Sequence, residues 1–203
     1  MYLYLKNVDL NDIFFISDTH WGHNLMRNKR NFNTIEEMDE ALIEGWNSVV
    51  KEKSIVFCLG DMSWYNPTKT LEILNRLNGT KYLVNGNHDW PLEKAECKKK
   101  FVLVADSRIE LELDDNEAVM VSRDPNKKTQ LIVLDHYPMV SWNKAYHGSY
   151  HLFGHVHNRI KQPLGLSMDV GVDAIGYQPI SYVEVRKLMA LKVNHEKNED
   201  EQR

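Results

Sequence analysis

Short apolar runs alternate with segments of helical periodicity through the first half of the chain. Ile13-Phe14-Phe15-Ile16 is an uninterrupted apolar run with aromatic and β-branched residues, the pattern of a buried strand. Thr34 followed by Glu37 is a capping-box signature, and Ile35, Met38, Leu42, Trp46 and Val49 then recur at helical spacing, predicting a helix as far as Lys53. Residues 54–59 read as a second buried strand. Asn66-Pro67 opens a helix with Leu71, Leu74 and Leu77 on one face, and Gly79 is placed for a left-handed C-cap. Residues 81–84 form a third strand, so the order is strand, helix, strand, helix, strand, the pattern of a parallel α/β unit.

The pattern changes near residue 100. Residues 91–100 predict a short, basic, weakly amphipathic helix. Residues 101–104, 109–113, 118–121 and 131–134 read as strands, the second and third joined as a hairpin across Asp114-Asp115-Asn116-Glu117. Strands with such short connections imply antiparallel pairing, so the sheets are mixed. Residues 124–128 are polar and predict a surface excursion. Residues 152–153 and 168–172 are further strands, and Ser181 with Glu184 opens a last helix through Tyr182, Val185 and Leu188. Residues 194–203 carry charge without periodicity and are expected to form a disordered tail, which leaves residues 1–193 as one domain.

A chain of 203 residues, 42% hydrophobic and 27% charged, has the composition of a globular domain with a sizeable core. The net charge of -4 argues against a general electrostatic grip on long duplex nucleic acid, although a local basic groove is compatible with it. Two cysteines, Cys58 and Cys97, make no disulfide framework and point to a reducing compartment. With no apolar window of membrane-spanning length and no targeting signal, the expectation is a cytoplasmic protein without a membrane partner. Oligomeric state leaves no trace in the sequence.

Chemistry enters where the apolar segments stop. Five of them end in metal-competent groups: Asp18 and His20, Asp61, Asn87 and His88, His136, then His155 and His157. Taken singly, each has an ordinary explanation as a turn, a cap or a hydrogen-bonded histidine. Together they fall at one structural position, the carboxyl end of a strand, where side chains from neighbouring strands converge on the crevice that binds ligands in open α/β sheets. Imidazole, carboxylate and one amide oxygen form a donor set suited to Mn, Fe(II), Zn or a similar ion, and lack the thiolates of a structural zinc site.

These residues carry a resemblance. The ordered blocks D-x-H, G-D, G-N-H-D/E, H and G-H-x-H are present as Asp18-Thr19-His20, Gly60-Asp61, Gly86-Asn87-His88-Asp89, His136 and Gly154-His155-Val156-His157, and in this the chain resembles the calcineurin-like metallophosphoesterases. The resemblance implies a four-layer α/β/β/α sandwich with two mixed sheets flanked by helices. It also implies two divalent metal ions per chain, Mn, Fe, Zn or Ni with manganese favoured. One would be held by Asp18, His20, Asp61 and His157, the other by Asp61, Asn87, His136 and His155. His88 would face the leaving-group or a phosphoryl oxygen, and Asp89 would orient His88. Two cations suit an anionic ester because they neutralise its oxygens and lower the pKa of a water toward neutrality, so that hydroxide forms at working pH.

Some features narrow the subgroup. Relatives that act as protein Ser/Thr phosphatases carry an arginine shortly after G-D, whereas Gly60-Asp61 continues here as Met62-Ser63-Trp64-Tyr65, so that reading falls. Asp135 beside His136 either orients the imidazole or alters metal preference. Candidate substrate contacts are His23, Asn24, Arg27, Tyr137, Trp142, His147 and Arg159, with Arg27 or Arg159 on phosphate and Trp21, Tyr137 or Trp142 stacked on a base. The expected activity is hydrolysis of a small, nucleotide-like phosphodiester. A nuclease or a nucleoside polyphosphate hydrolase is the alternative, and an inactive binding scaffold is disfavoured because no ligand position is lost.

Overall fold

A computed structural model describes residues 1–118 and 128–200. Its strands are β1 (Tyr2–Leu5), β2 (Ile13–Ile16), β3 (Ile55–Cys58), β4 (Thr80–Val84), β5 (Phe101–Ala105), β6 (Arg108–Asp114), β7 (Thr129–Asp135), β8 (Tyr150–Phe153), β9 (Ser167–Asp169) and β10 (Ile180–Ser181). Its helices are α1 (Asn24–Lys29), α2 (Ile35–Val49), α3 (Pro67–Arg76), α4 (Ala95–Lys98), α5 (Val172–Ile175) and α6 (Tyr182–Asp200). The strands make two five-stranded mixed sheets, ordered β10-β2-β3-β4-β5 and β1-β6-β7-β8-β9. In the first sheet β2 to β5 run parallel and β10 pairs antiparallel with β2.

The two sheets face each other across one apolar core. Ile13, Phe15, Phe57, Leu59 and Val84 from the first sheet pack against Ile109, Leu111, Leu113, Ile132 and Leu134 of the second. Tyr182, Val185 and Met189 of α6 join that core. On the other face of the first sheet, Met38, Leu42 and Trp46 of α2 and Ile73 and Leu74 of α3 pack against Phe14, Ile16, Val56 and Cys58. The alternation of these residues along β2 and β3 explains why both strands read as continuous apolar runs: each face meets its own core. The result is the α/β sandwich of two mixed sheets flanked by helices. No helix among the described residues is long and apolar enough to cross a membrane.

Capping sets the helix starts where the sequence places them. Thr34 Oγ1 accepts from the Glu37 amide at 3.0 Å, and Asn66 Oδ1 accepts from the Lys69 amide at 2.9 Å. The end of α2 differs from expectation: the helix stops at Val49 rather than Lys53, because Val50 is extended and residues 51–54 close a turn. Gly79 takes the expected positive φ of +83°, two residues beyond the Leu77 cap and in the link to β4.

The larger departures lie in the second half. Residues 106–107 between β5 and β6 form no hairpin; the chain crosses there from one sheet to the other. β6 pairs antiparallel with β7, while most of the strand expected over residues 118–121 and most of the 124–128 excursion lie outside the described residues. Asp115, read as a turn residue, is buried and accepts from Tyr182 Oη at 2.5 Å and Arg186 Nη1 at 2.7 Å, tying α6 to the second sheet. The strand expected over residues 168–172 ends at Asp169, and Val172 begins α5.

Candidate active site

At the carboxyl ends of β2, β3, β4, β7 and β8 the chain leaves the extended conformation abruptly. Asp18, His20, Asp61, His155 and His157 all have positive φ, between +48° and +68°. Left-handed backbone is unfavourable for residues with a Cβ and persists where surrounding structure enforces it, which is characteristic of functional sites. Here it bends the ends of β2, β3 and β8 so that several side chains converge. Close approach requires glycine: a Cβ on Gly154 would lie 2.1 Å from Ser17 Oγ and 2.3 Å from Asp18 Oδ2, and one on Gly86 would lie 2.3 Å from Asp61 Oδ1.

Two groups of ligand atoms result. Asp18, His20 and His157 form one and Asp61, His136 and His155 the other, with the atoms of each group within 4.8 Å of one another. Both groups draw on both sheets, since Asp18, His20 and Asp61 follow strands of the first sheet and His136, His155 and His157 follow strands of the second. His136 Nε2 also lies 3.1 Å from Asn87 Oδ1.

These residues fit metal ions. Both ring nitrogens of His20 are buried without a hydrogen-bond partner, and Nε2 lies 3.8 Å from Asp18 Oδ1 and 3.7 Å from Asp61 Oδ2. Buried imidazole nitrogens facing carboxylates without a proton bridge are what a cation between them requires. Burial pushes His20 far below its ordinary value, to about 2, so the ring is a neutral donor, and it lowers His155 as well. Burial raises Asp18 to about 6, the response of a carboxylate enclosed without its counter-charge. Two of the other histidines, His136 and His157, are oriented from behind. His136 Nδ1 lies 2.7 Å from the Leu59 carbonyl, and His157 Nδ1 lies 2.7 Å from Asp173 Oδ2, leaving each Nε2 for the ligand side.

Asp173 escaped the sequence reading. It is 16 residues beyond His157 and follows the 168–172 stretch, but it belongs to none of the ordered blocks. Its carboxylate also accepts Arg30 Nε at 2.7 Å and Nη2 at 2.9 Å, while the same guanidinium donates to the Thr19 and Asp18 carbonyls at 2.8 Å each. Burial alone would raise Asp173, but the bonds from Arg30 and His157 outweigh it and hold the carboxyl well below its ordinary value.

Asp89 takes a different place from the one expected. Its carboxylate accepts three backbone amides, those of Asp61 at 2.9 Å, Met62 at 2.9 Å and Gly86 at 2.7 Å, and makes no hydrogen bond with His88. Asp89 therefore fixes the loops that carry Asp61 and Asn87. His88 instead packs against Trp64, ring centroids 4.6 Å apart, and its amide donates to Asp61 Oδ1 at 2.9 Å. Trp64 also lies 4.3 Å from His23 and is 42% exposed; as a loop aromatic outside any periodic segment it carries no sequence signal.

A cleft of about 230 Å³ opens over the ligands, walled by His20, Asp61, Asn87, His88, His155 and His157, with His23, Lys29 and Arg159 among its remaining walls. Tyr137 stands beside it, Oη 3.4 Å from Asn87 Oδ1. The other substrate candidates are elsewhere. Arg27 donates to Asn24 Oδ1 and to the Phe32 and Asn33 carbonyls, so both residues brace α1 and the turn that follows it. Trp142 is buried with Nε1 on the Ser149 carbonyl, His147 is exposed and does not line the cleft, and Trp21 is wholly buried near Trp46. Asp135 accepts the Tyr137 amide and faces Arg108, so it shapes the turn and does not touch His136.

Ligand groups of aspartate and histidine at the strand ends of a two-sheet sandwich, with a further imidazole beside them, are the equipment of a metal-dependent phosphoester hydrolase. The chain belongs to the calcineurin-like phosphoesterase family, which matches residues 12–159. An uncharacterized protein of Methanocaldococcus jannaschii, MJ1445, is 32% identical over 192 residues, covering 90% of this chain and 93% of that protein. The gene 66 protein of Mycobacterium phage L5 is 35% identical over 86 residues, 40% of this chain and 42% of that protein. A solved structure, the protein of unknown function AQ665 from Aquifex aeolicus, has a TM-score of 0.62 at 24% identity, covering 87% of this chain and 98% of that one, a likeness of fold.

Proposed function

We propose that the chain hydrolyses small, nucleotide-like phosphodiesters with two divalent metal ions at the paired ligand groups. The observation that carries this reading is the position of Asp61: its Oδ2 lies 3.7 Å from His20 Nε2 in one group and 3.6 Å from His136 Nε2 in the other. When bound, the two cations supply charge neutralisation at the phosphoryl oxygens and acidify a water molecule. Among the ligands only Asp18 and Asp61 bring negative charge; Asn87 and the four imidazoles are neutral donors, so the centre stays attractive to an anion. His88 lines the cleft outside both groups, placed against Trp64 to donate a proton to the departing oxygen. Lys29 and Arg159 in the cleft wall complement the negative charge of the ester. The exposed rings of Trp64 and Tyr137 beside the ligands support a diester, whose second substituent needs a surface to lie on.

The test is turnover of bis(4-nitrophenyl) phosphate against 4-nitrophenyl phosphate by protein loaded with Mn, Fe, Zn or Ni, with metal content measured alongside. Faster diester turnover with two metals per chain is expected; monoester preference or a single bound metal overturns the corresponding part. His88→Ala is expected to keep both metals and lose roughly 10²–10⁴ in rate, the range of general acid catalysis. Asp61→Ala is expected to lose metal and activity together. A metal-free His88→Ala beside a fully loaded Asp61→Ala would reverse the assignment.

A further inference from the structure

On the His157 side of the metal cleft a second cavity of about 430 Å³ opens between the end of α1 and α5, with Lys29, Arg30, Asn158, Lys161, Asp173 and Tyr177 in its walls. Met26, Lys29 and His157 line both spaces, so the two are neighbouring compartments with a common wall. Their sizes divide the work. The cleft suits a phosphoryl group, whereas the larger cavity falls within the range of small-molecule sites.

Charge then selects the occupant. Arg30 and Asp173 offset one another through bonds of 2.7 and 2.9 Å, and Asp173 also receives His157. Lys29 and Lys161 are exposed and have no ion pair or hydrogen bond from their ammonium groups among the described residues. Two uncompensated positive charges therefore face one cavity on a chain whose net charge is -4. The wall is also strained, with Asn158 at φ +60° and Tyr177 at +63°, as backbone is at the metal ligands themselves. A neutral sugar or alkyl substituent would gain nothing from the two ammonium groups, whereas a phosphate dianion has an oxygen for each.

We propose that this cavity receives a second phosphate of the substrate, so that the ester hydrolysed is a nucleotide-like molecule carrying another phosphate near the scissile one. The inference rests on the phosphodiesterase reading above and names its substrate class. Thymidine 5′-(4-nitrophenyl phosphate) and its 3′-phosphorylated counterpart differ only in that group. At least about tenfold higher kcat/KM is expected for the phosphorylated compound, expressed mainly in KM, the effect of one or two charge-assisted hydrogen bonds. The ratio is expected to fall toward one in Lys161→Ala and in Lys29→Ala/Lys161→Ala, and below one in Lys161→Glu. Calorimetry with thymidine 3′,5′-bisphosphate against thymidine 5′-monophosphate gives a readout that needs no turnover, and the same lysine dependence is expected there. Equal kcat/KM with equal affinities, or a preference that the lysine variants leave intact, overturns the proposal. Tight, lysine-dependent bisphosphate binding without hydrolysis of either ester or of bis(4-nitrophenyl) phosphate would overturn the phosphodiesterase reading and leave the second phosphate site standing.

Discussion

Asp173 shows what a single residue does for the centre without entering it. Its carboxylate fixes the His157 ring from behind and neutralises Arg30, whose side chain is 1% exposed. Asp173→Asn keeps an acceptor for the imidazole but removes the charge, and carboxylates behind metal-bound histidines are typically worth 10–100-fold in metal affinity. A drop of that size is expected, measured by competition with a chromophoric chelator; lower thermal stability with unchanged affinity would make the residue merely structural. Asp18 acts in the opposite sense. Its carboxyl is raised from 3.8 to about 6 by burial, so its contribution to metal-free stability is full below pH 3.8 and is lost as pH rises through 6. Asp18→Asn should therefore stabilise the metal-free protein above pH 6, by at most about 3 kcal/mol, with the advantage fading toward pH 4. Thermal melts in chelator at the two pH values check it. The candidate ligands are legible because their blocks follow apolar runs and recur in a set; Asp173 follows the 168–172 stretch alone, with no block to mark it, and Trp64 follows no apolar run, so both reach the site only through the fold.

At the scale of elements, the same strand ends that made the site legible also hold its strain. Gly154 lets the end of β8 pass against Ser17 and Asp18 at the end of β2. Gly154→Ala should force these ends apart, costing about 1–3 kcal/mol as overpacking does, and should weaken metal binding in the same variant. Chemical denaturation with metal titration measures both; a stable, fully loaded variant would show that the approach can relax. Strands buried on both faces and capped helices were readable from local pattern. The two-residue β10, too short for any periodicity, was not. Nor was the crossing after β5, because two residues between strands are as compatible with a change of sheet as with a hairpin.

For the whole molecule, the two ligand groups each span both sheets, and this couples metal to pH and to stability. Loading requires Asp18 ionised, so affinity should fall as pH drops below about 6, with a proton released from Asp18 in that range, while His20 is already neutral and releases none. Calorimetry in buffers of different ionisation enthalpy counts those protons, and a flat affinity from pH 5 to 8 would contradict the assignment. Free metal at 100 times its Kd would add about 2.7 kcal/mol to stability per independent site.

Because no ligand group belongs to one sheet alone, the ions would act as rivets along the seam where the sheets meet. Amide hydrogens of β2 and β8 would then exchange with deuterium in step, slow in the loaded protein and fast after chelation, although the two strands share no hydrogen-bonded ladder.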